Sequence, residues 1–246
     1  MTDINLNSEL LEYMVDRGFQ PGDRLPTISE LQAREHLGLS ASKVREQLEV
    51  ARALGLVEVR SKTGMKMRDY SFTPAVRLSL LFALSIDQHH FEQFSELRNH
   101  LEATFWHEAC LSLTDEDKQA MRGYVHAARA KLTGRTVRIP NEEHRQFHLT
   151  VFKRLENPFV MGILEAYWDA YDAVELNRYA DYDYLQNVWE YHERILNAIC
   201  EGNYDTARDI FVEHTRLIRH QPRMQHLSRP DAADHAHHDN HSAKEK

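Results

Sequence analysis

Apolar residues recur at three- and four-residue intervals along most of this chain, the spacing of one face of a helix. Near the N-terminus the pattern comes in three short bursts. Leu10, Leu11, Met14 and Val15 mark a first helix that ends at Gly18. Ile28, Leu31 and Leu37 mark a second. Thr27 followed by Glu30 is a capping-box pair, Pro26 blocks extension backward, and Gly38 stops the run. Val44, Leu48, Ala51 and Leu54 mark a third, closed by Gly55. Only then does the period change: LVEVRSKTGMKMRDY alternates, which predicts two short strands around Lys62-Thr63-Gly64. Beyond it the helical period returns and holds to about residue 220. Phe94, Leu97, Leu101 and Phe105 form one apolar stripe, a Thr114–Asp117 cap opens the next helix, and NEEHRQFHLTVFKRLENP runs to Asn157-Pro158. About six antiparallel helices joined by short loops make a bundle.

This reading divides the chain into four parts. Residues 1–70 form a winged helix-turn-helix and 71–76 a linker punctuated by Pro74. Residues 77–223 form an all-α antiparallel bundle, and 224–246 a polar, His-rich, disordered tail. The fold class is mainly α. With 246 residues, 42% hydrophobic and 28% charged, the chain is long enough for two buried cores. Two cysteines, Cys110 and Cys200, are too few for a disulfide framework and suit a reducing, cytoplasmic compartment. No run has the length of a membrane span, and no basic stretch followed by an apolar one opens the chain.

Charge changes the picture of the first part. The net charge of −8 speaks against nucleic acid until it is divided along the chain. Residues 43–68 carry seven Lys/Arg against three Asp/Glu. A local basic patch is what phosphate binding needs. Helix, tight turn, helix and basic hairpin together predict double-stranded DNA as partner. The third helix would present Ser40, Ser42, Lys43 and Arg45 to a major groove. A small helical subdomain with solvated charges is the plainer alternative, and the basic wing favours DNA.

The segment GDRLPTISELQAREHLGLSASKVREQLEVARALGLVEVRSKTG resembles the DNA-binding domain of GntR-family transcriptional regulators. The shared skeleton is Gly22, Leu25, Pro26, Glu30, Leu31, Gly38, Ser40, Val44, Arg45, Glu46, Gly55, Leu56, Val57 and Gly64. The resemblance implies DNA contacts from Ser29, Ser40, Ser42, Lys43 and Arg45, and from Lys62, Gly64 and Lys66 in the wing. Family members carry an Arg before the Glu30 position and another after the Ser40 position, where this chain has Ser29 and Ala41. Each missing phosphate contact flattens the salt dependence of binding by about one unit of log–log slope.

The chemistry of the bundle lies in its histidines. His144 and His148 share a face with Val151, Phe152 and Leu155. His192 lies beside Trp189, Ile195 and Ile199, and His214 beside Ile210, Phe211 and Leu217. Singly, each reads as a hydrogen-bonded core histidine. Four on inward faces point to a shared divalent cation, because unpaired buried imidazoles are costly and neutral imidazole suits transition metals. Zinc comes first, with nickel, iron or manganese as alternatives.

This body resembles the FCD effector-binding domain of the FadR-like branch of the same family. HRQFHLTVFKRLENP matches its D-x-x-F-H motif, and YHERILNAICEGNYDTARDIFVEHTRLI its later histidines. The resemblance implies His148, His192 and His214 as ligands. His144 stands where the family has Asp. ELRNHLE resembles the family's R-x-x-x-E, which makes Arg98 the candidate clamp for an effector carboxylate. An ion pair with Glu102 is the equal alternative. Tyr167, Trp168, Tyr171, Arg178 and Tyr179 are candidate pocket walls, or plain core.

The expected protein is a cytoplasmic homodimeric regulator. It binds an operator with its wing domain and a small organic-acid or sugar-acid effector at or near the metal. Two alternatives remain on sequence alone: a helical metalloenzyme built on the four histidines, and a constitutive repressor with no metal.

Overall fold

The computed structural model describes residues 4–174 and 181–217. The His-rich tail, Arg178 and Tyr179 lie outside the described residues. In chain order the elements are α1 (Glu9–Asp16), α2 (Ile28–Leu31), α3 (Ala41–Ala53), β1 (Val57–Arg60), β2 (Gly64–Met67), α4 (Thr73–Ile86), α5 (His90–Leu111), α6 (Asp115–Thr133), α7 (Asn141–Phe152), α8 (Pro158–Ala173), α9 (Tyr182–Cys200) and α10 (Tyr204–Leu217). Mainly α, with one two-stranded sheet among the described residues, is the architecture that the periodicity predicts.

The N-terminal part has its own core of Leu10, Met14, Leu25, Leu31, Val44, Leu48, Ala51, Val57 and Met65. Ser8, Thr27 and Ser40 cap α1, α2 and α3, each accepting from a backbone N–H of the first turn. Strand β1 pairs antiparallel with β2, Val57 opposite Met67 and Arg60 opposite Gly64. Three local expectations differ from what forms. Val15 faces solvent, because α1 is short and buries only Leu10 and Met14. The second helix stops at Leu31, and turns bonded Ala33 N to Glu30 O and His36 N to Ala33 O carry the chain to Gly38. His36 is held there by a 2.8 Å hydrogen bond to the Tyr13 hydroxyl. And α4 begins at Thr73, inside the stretch read as linker. Pro74 opens this helix, since a proline in the first turn forfeits no helical hydrogen bond.

Helices α4 to α10 form the bundle around a core that includes Trp106, Phe147, Phe152, Leu164, Trp189 and Phe211. The two parts meet closely. A Cβ on Gly55 would lie 2.5 Å from Pro74 Cγ, and one on Gly162 would lie 2.7 Å from Phe72 Cβ. Only glycine lets the end of α3 and the flank of α8 come so near the start of α4. Phe159 packs against Phe72 and Tyr70 at the same joint. No helix of the described residues is long and apolar enough to cross a membrane.

Candidate metal centre and DNA-binding face

Helix α7 carries His144 and His148 one turn apart, α9 carries His192 and α10 carries His214. All four rings are buried, none more than 5% exposed. One nitrogen from each lies within 4.8 Å of the other three. A tetrahedral zinc with Zn–N bonds of about 2.0–2.1 Å needs its nitrogens closer, roughly 3.3 Å apart. His148 Nε2 and His192 Nε2 are already 3.1 Å apart. His144 sits among the others, its ring centroid 4.8 Å from that of His192 and 5.1 Å from that of His148. The position where the family has Asp therefore still points into the cluster.

Burial holds all four imidazoles neutral. The values of His144, His148 and His214 fall well below the ordinary one, first through desolvation and then through the neighbouring histidines and Arg98. His192 is pushed down to about 3 by burial. A neutral ring has one bare nitrogen to offer a cation and need lose no proton to the solvent to do so. Two polar atoms of the cluster, His144 Nε2 and His214 Nδ1, are buried with no hydrogen-bond partner. Four neutral imidazoles this close together, two of them with an orphaned nitrogen, fit a divalent ion. His192 also has the outer-shell contact usual for a ligand, its Nδ1–H donating to the Val188 carbonyl at 2.6 Å. A narrow cleft lined by Pro140, Leu185, Val188 and Trp189 reaches His144 from outside.

Arg98 abuts the histidine cluster. It is 1% exposed, and the ion pair with Glu102 forms, alongside a contact with His148 that was not foreseen. Nε lies 2.8 Å from Glu102 Oε2, one turn along α5. Nη2 lies 2.8 Å from His148 Nδ1. The guanidinium rests over the Tyr167 ring at 4.6 Å. Glu102 is fully buried, and burial lifts its carboxyl to about 7 against the pull of Arg98. The apolar stripe read on this helix is displaced as a result. Leu97 is exposed, and the inward face runs Phe91, Ser95, Arg98, Glu102, Trp106. Glu102 is the site residue that periodicity overlooks. Its spacing from Arg98 signals a pair, but nothing local signals that the pair is buried. Tyr167, Trp168 and Tyr171 are buried beside it, and Trp168 stacks edgewise on His144 at 4.7 Å.

In the N-terminal part, Ser42, Lys43 and Arg45 are exposed on the first two turns of α3. Ser40 is exposed too, but its hydroxyl accepts from Lys43 N at 3.2 Å and so caps the helix. Lys43 Nζ is 3.2 Å from Glu46. Ser29 is exposed on α2, Lys62 in the hairpin turn and Lys66 on β2. Gly64, at the start of β2, is partly covered by Arg24, whose Nε would lie 3.2 Å from a Cβ there. Arg24 bridges to Lys66 and adds a cation to the wing. Some forty residues separate it from the hairpin, so no spacing in the sequence announces it.

Comparison with known proteins agrees with this architecture. The FCD domain family matches residues 93–217, just over half of the chain. The HTH-type transcriptional regulator LutR of Bacillus subtilis is 23% identical over 208 residues, which cover 82% of this chain and 92% of that protein. The Uxu operon transcriptional regulator of Escherichia coli is 24% identical over 213 residues, covering 85% and 81%. The structure of Streptococcus agalactiae GntR superposes with a TM-score of 0.62 at 22% identity, covering 85% of this chain and 95% of that one, and shares the fold. These relatives are transcriptional regulators, which removes the metalloenzyme alternative. An N-terminal helical unit with a basic hairpin, joined to a helical body that matches the FCD domain, places the chain in the GntR family of transcriptional regulators, in its FadR-like, FCD-bearing branch.

Proposed function

We propose that this regulator binds a palindromic operator as a cytoplasmic homodimer, and that a small organic-acid or sugar-acid effector, held at a divalent metal in the bundle, tunes that binding. One observation carries the ligand reading. Four neutral, buried imidazoles converge, two of them with an orphaned nitrogen, and a buried guanidinium abuts them. His144, His148, His192 and His214 would hold the ion, zinc first among the candidates, and the bound ion would supply a positive centre for a carboxylate. Arg98 would pair with that carboxylate in a bidentate fork. An all-imidazole site keeps the full charge of the ion, which favours an anionic effector. Ser29, Ser40, Ser42, Lys43, Arg45, Lys62, Gly64 and Lys66 would form the DNA-binding face, with Ser40 acting chiefly as helix cap. Two copies are needed because paired half-sites need paired readers. Leu78, Phe82 and Ile86, exposed one turn apart along α4, offer an apolar face for the second copy.

The constitutive repressor has one observation in its favour. Arg98, His148, His192 and the Val188 carbonyl form an unbroken hydrogen-bonded row that is satisfied without any ion. Elemental analysis of protein purified without chelator separates the two readings. About one divalent ion per chain is expected, lost on combined His148→Ala and His192→Ala substitution; metal-free wild type supports the constitutive repressor. In a gel shift on DNA upstream of its own gene, Arg45→Ala should abolish the complex. Sugar acids should alter the wild-type shift only in the metal-loaded protein.

A further inference from the structure

His148 is neutral and so has one ring nitrogen able to accept, and Arg98 occupies it. A guanidinium carries only donors, so the 2.8 Å contact makes His148 Nδ1 the acceptor and leaves the ring hydrogen on Nε2. That hydrogen points at His192 Nε2, 3.1 Å away. His192 Nε2 accepts it, since its own ring hydrogen sits on Nδ1 and is given to Val188. His148 Nε2 is also the atom that a cation in the cluster would need bare. Binding an ion there requires the hydrogen to sit on Nδ1 instead, where it would face an Arg98 hydrogen head-on. Glu102 Oε1 lies 3.5 Å from Nδ1 and has no hydrogen-bond partner of its own, so it is the acceptor that the other tautomer needs.

We infer that Arg98 and a divalent ion compete for His148. Loading the ion would break the Arg98–His148 hydrogen bond and move the ring hydrogen from Nε2 to Nδ1, where Nδ1–H donates a hydrogen bond to Glu102 Oε1. The ring gains and loses no net proton. Arg98 keeps its pairing with Glu102 through Nε, while Nη2 is released from His148. The inference rests on the metal reading proposed above and adds an order of events to it. The clamp for an anionic effector becomes available when the ion is in place, so ion and effector bind cooperatively. Glu102 becomes a positioning residue, the carboxylate that a four-imidazole site otherwise lacks, one shell further out.

The test is zinc affinity of the full chain by chelator competition. Arg98→Met should bind Zn²⁺ about tenfold more tightly, having lost both the competitor and a like charge beside the ion. Glu102→Gln should bind about tenfold to a hundredfold more weakly, the scale of lost outer-shell support. Equal or weaker binding by a folded Arg98→Met overturns the competition. Because either variant risks unfolding, the wild type supplies a second reading through histidine nitrogen–proton NMR. His148 should show its hydrogen on Nε2 without zinc and on Nδ1 with it. Wild type that loads zinc while Nε2 keeps its hydrogen overturns the competition alone. Wild type that takes up no zinc overturns the metal reading, and the competition with it.

Discussion

Four imidazoles packed into one interior give the metal-free protein a particular response to acid. Each has a folded-state value below its ordinary 6.5, through burial first. Between that depressed value and 6.5 the unfolded chain binds more protons than the folded one. Their contribution is therefore present above about pH 6.5 and lost as the pH falls. Glu102 acts in the opposite sense, because burial raises it from 4.5 to about 7. Its contribution is present below 4.5 and lost as the pH rises toward 7. Four groups outweigh one, so the melting temperature of chelator-treated protein should drop from about pH 6.5 downward. The fall should steepen below 4.5, where Glu102 no longer offsets it. A melting temperature flat between pH 7.5 and 4.5 would show that the rings are less desolvated than the packing implies.

Periodicity located nearly every helix but misjudged several of their faces and ends, among them those of α5 and α7. In α5 the apolar residues Phe94, Leu101 and Phe105 only flank the inward face, whose centre holds Arg98 and Glu102. A hydropathy pattern discounts charged residues, so a helix that buries an ion pair looks rotated. Helix α7 was expected to reach Asn157, yet it ends at Phe152. Asn157 instead caps α8, its Oδ1 accepting from Phe159 N at 3.1 Å and Val160 N at 3.2 Å. Pro158 then takes the first helical position, which suits it. Asn157→Ala should cost about 1 kcal/mol of stability, the usual worth of an N-cap, read as a lower denaturant midpoint. Little change would mean that the apolar packing of α8 alone sets its start. The capping boxes at Thr27–Glu30 and Thr114–Asp117 form as their spacing predicts, because both partners lie within one turn.

Helix α8 links the site to the DNA-binding part. Trp168 touches His144, and Asp169 accepts from Arg145 of α7 at 2.7 Å and from Arg77 of α4 at 2.9 Å. Gly162 of the same helix receives Phe72, and Glu165 accepts from the Thr73 hydroxyl. A ligand that shifts α7 thus bears on the start of α4 through one rigid element. On α4, the exposed stripe of Leu78, Phe82 and Ile86 faces away from α8. Phe82→Lys should split the proposed homodimer and weaken operator binding, and sedimentation would detect it. An unchanged mass with unchanged binding would move the dimer contact elsewhere. Family, fold class and the four inward histidines were all legible in the sequence, because capping pairs, a turn glycine and helical spacing are local properties. Of the partners of Arg98, Glu102 was legible as one alternative from its i+4 spacing, but His148 and the burial of the pair were not. Whether it faces Glu102, a histidine or solvent depends on residues fifty positions away that only packing brings within 3 Å. The same holds for Arg24 beside Gly64, and for the two glycines that let α4 close on α3 and α8. Spacing along a helix decides which side chains share a face; what that face meets is decided by long-range packing, which one sequence does not encode locally.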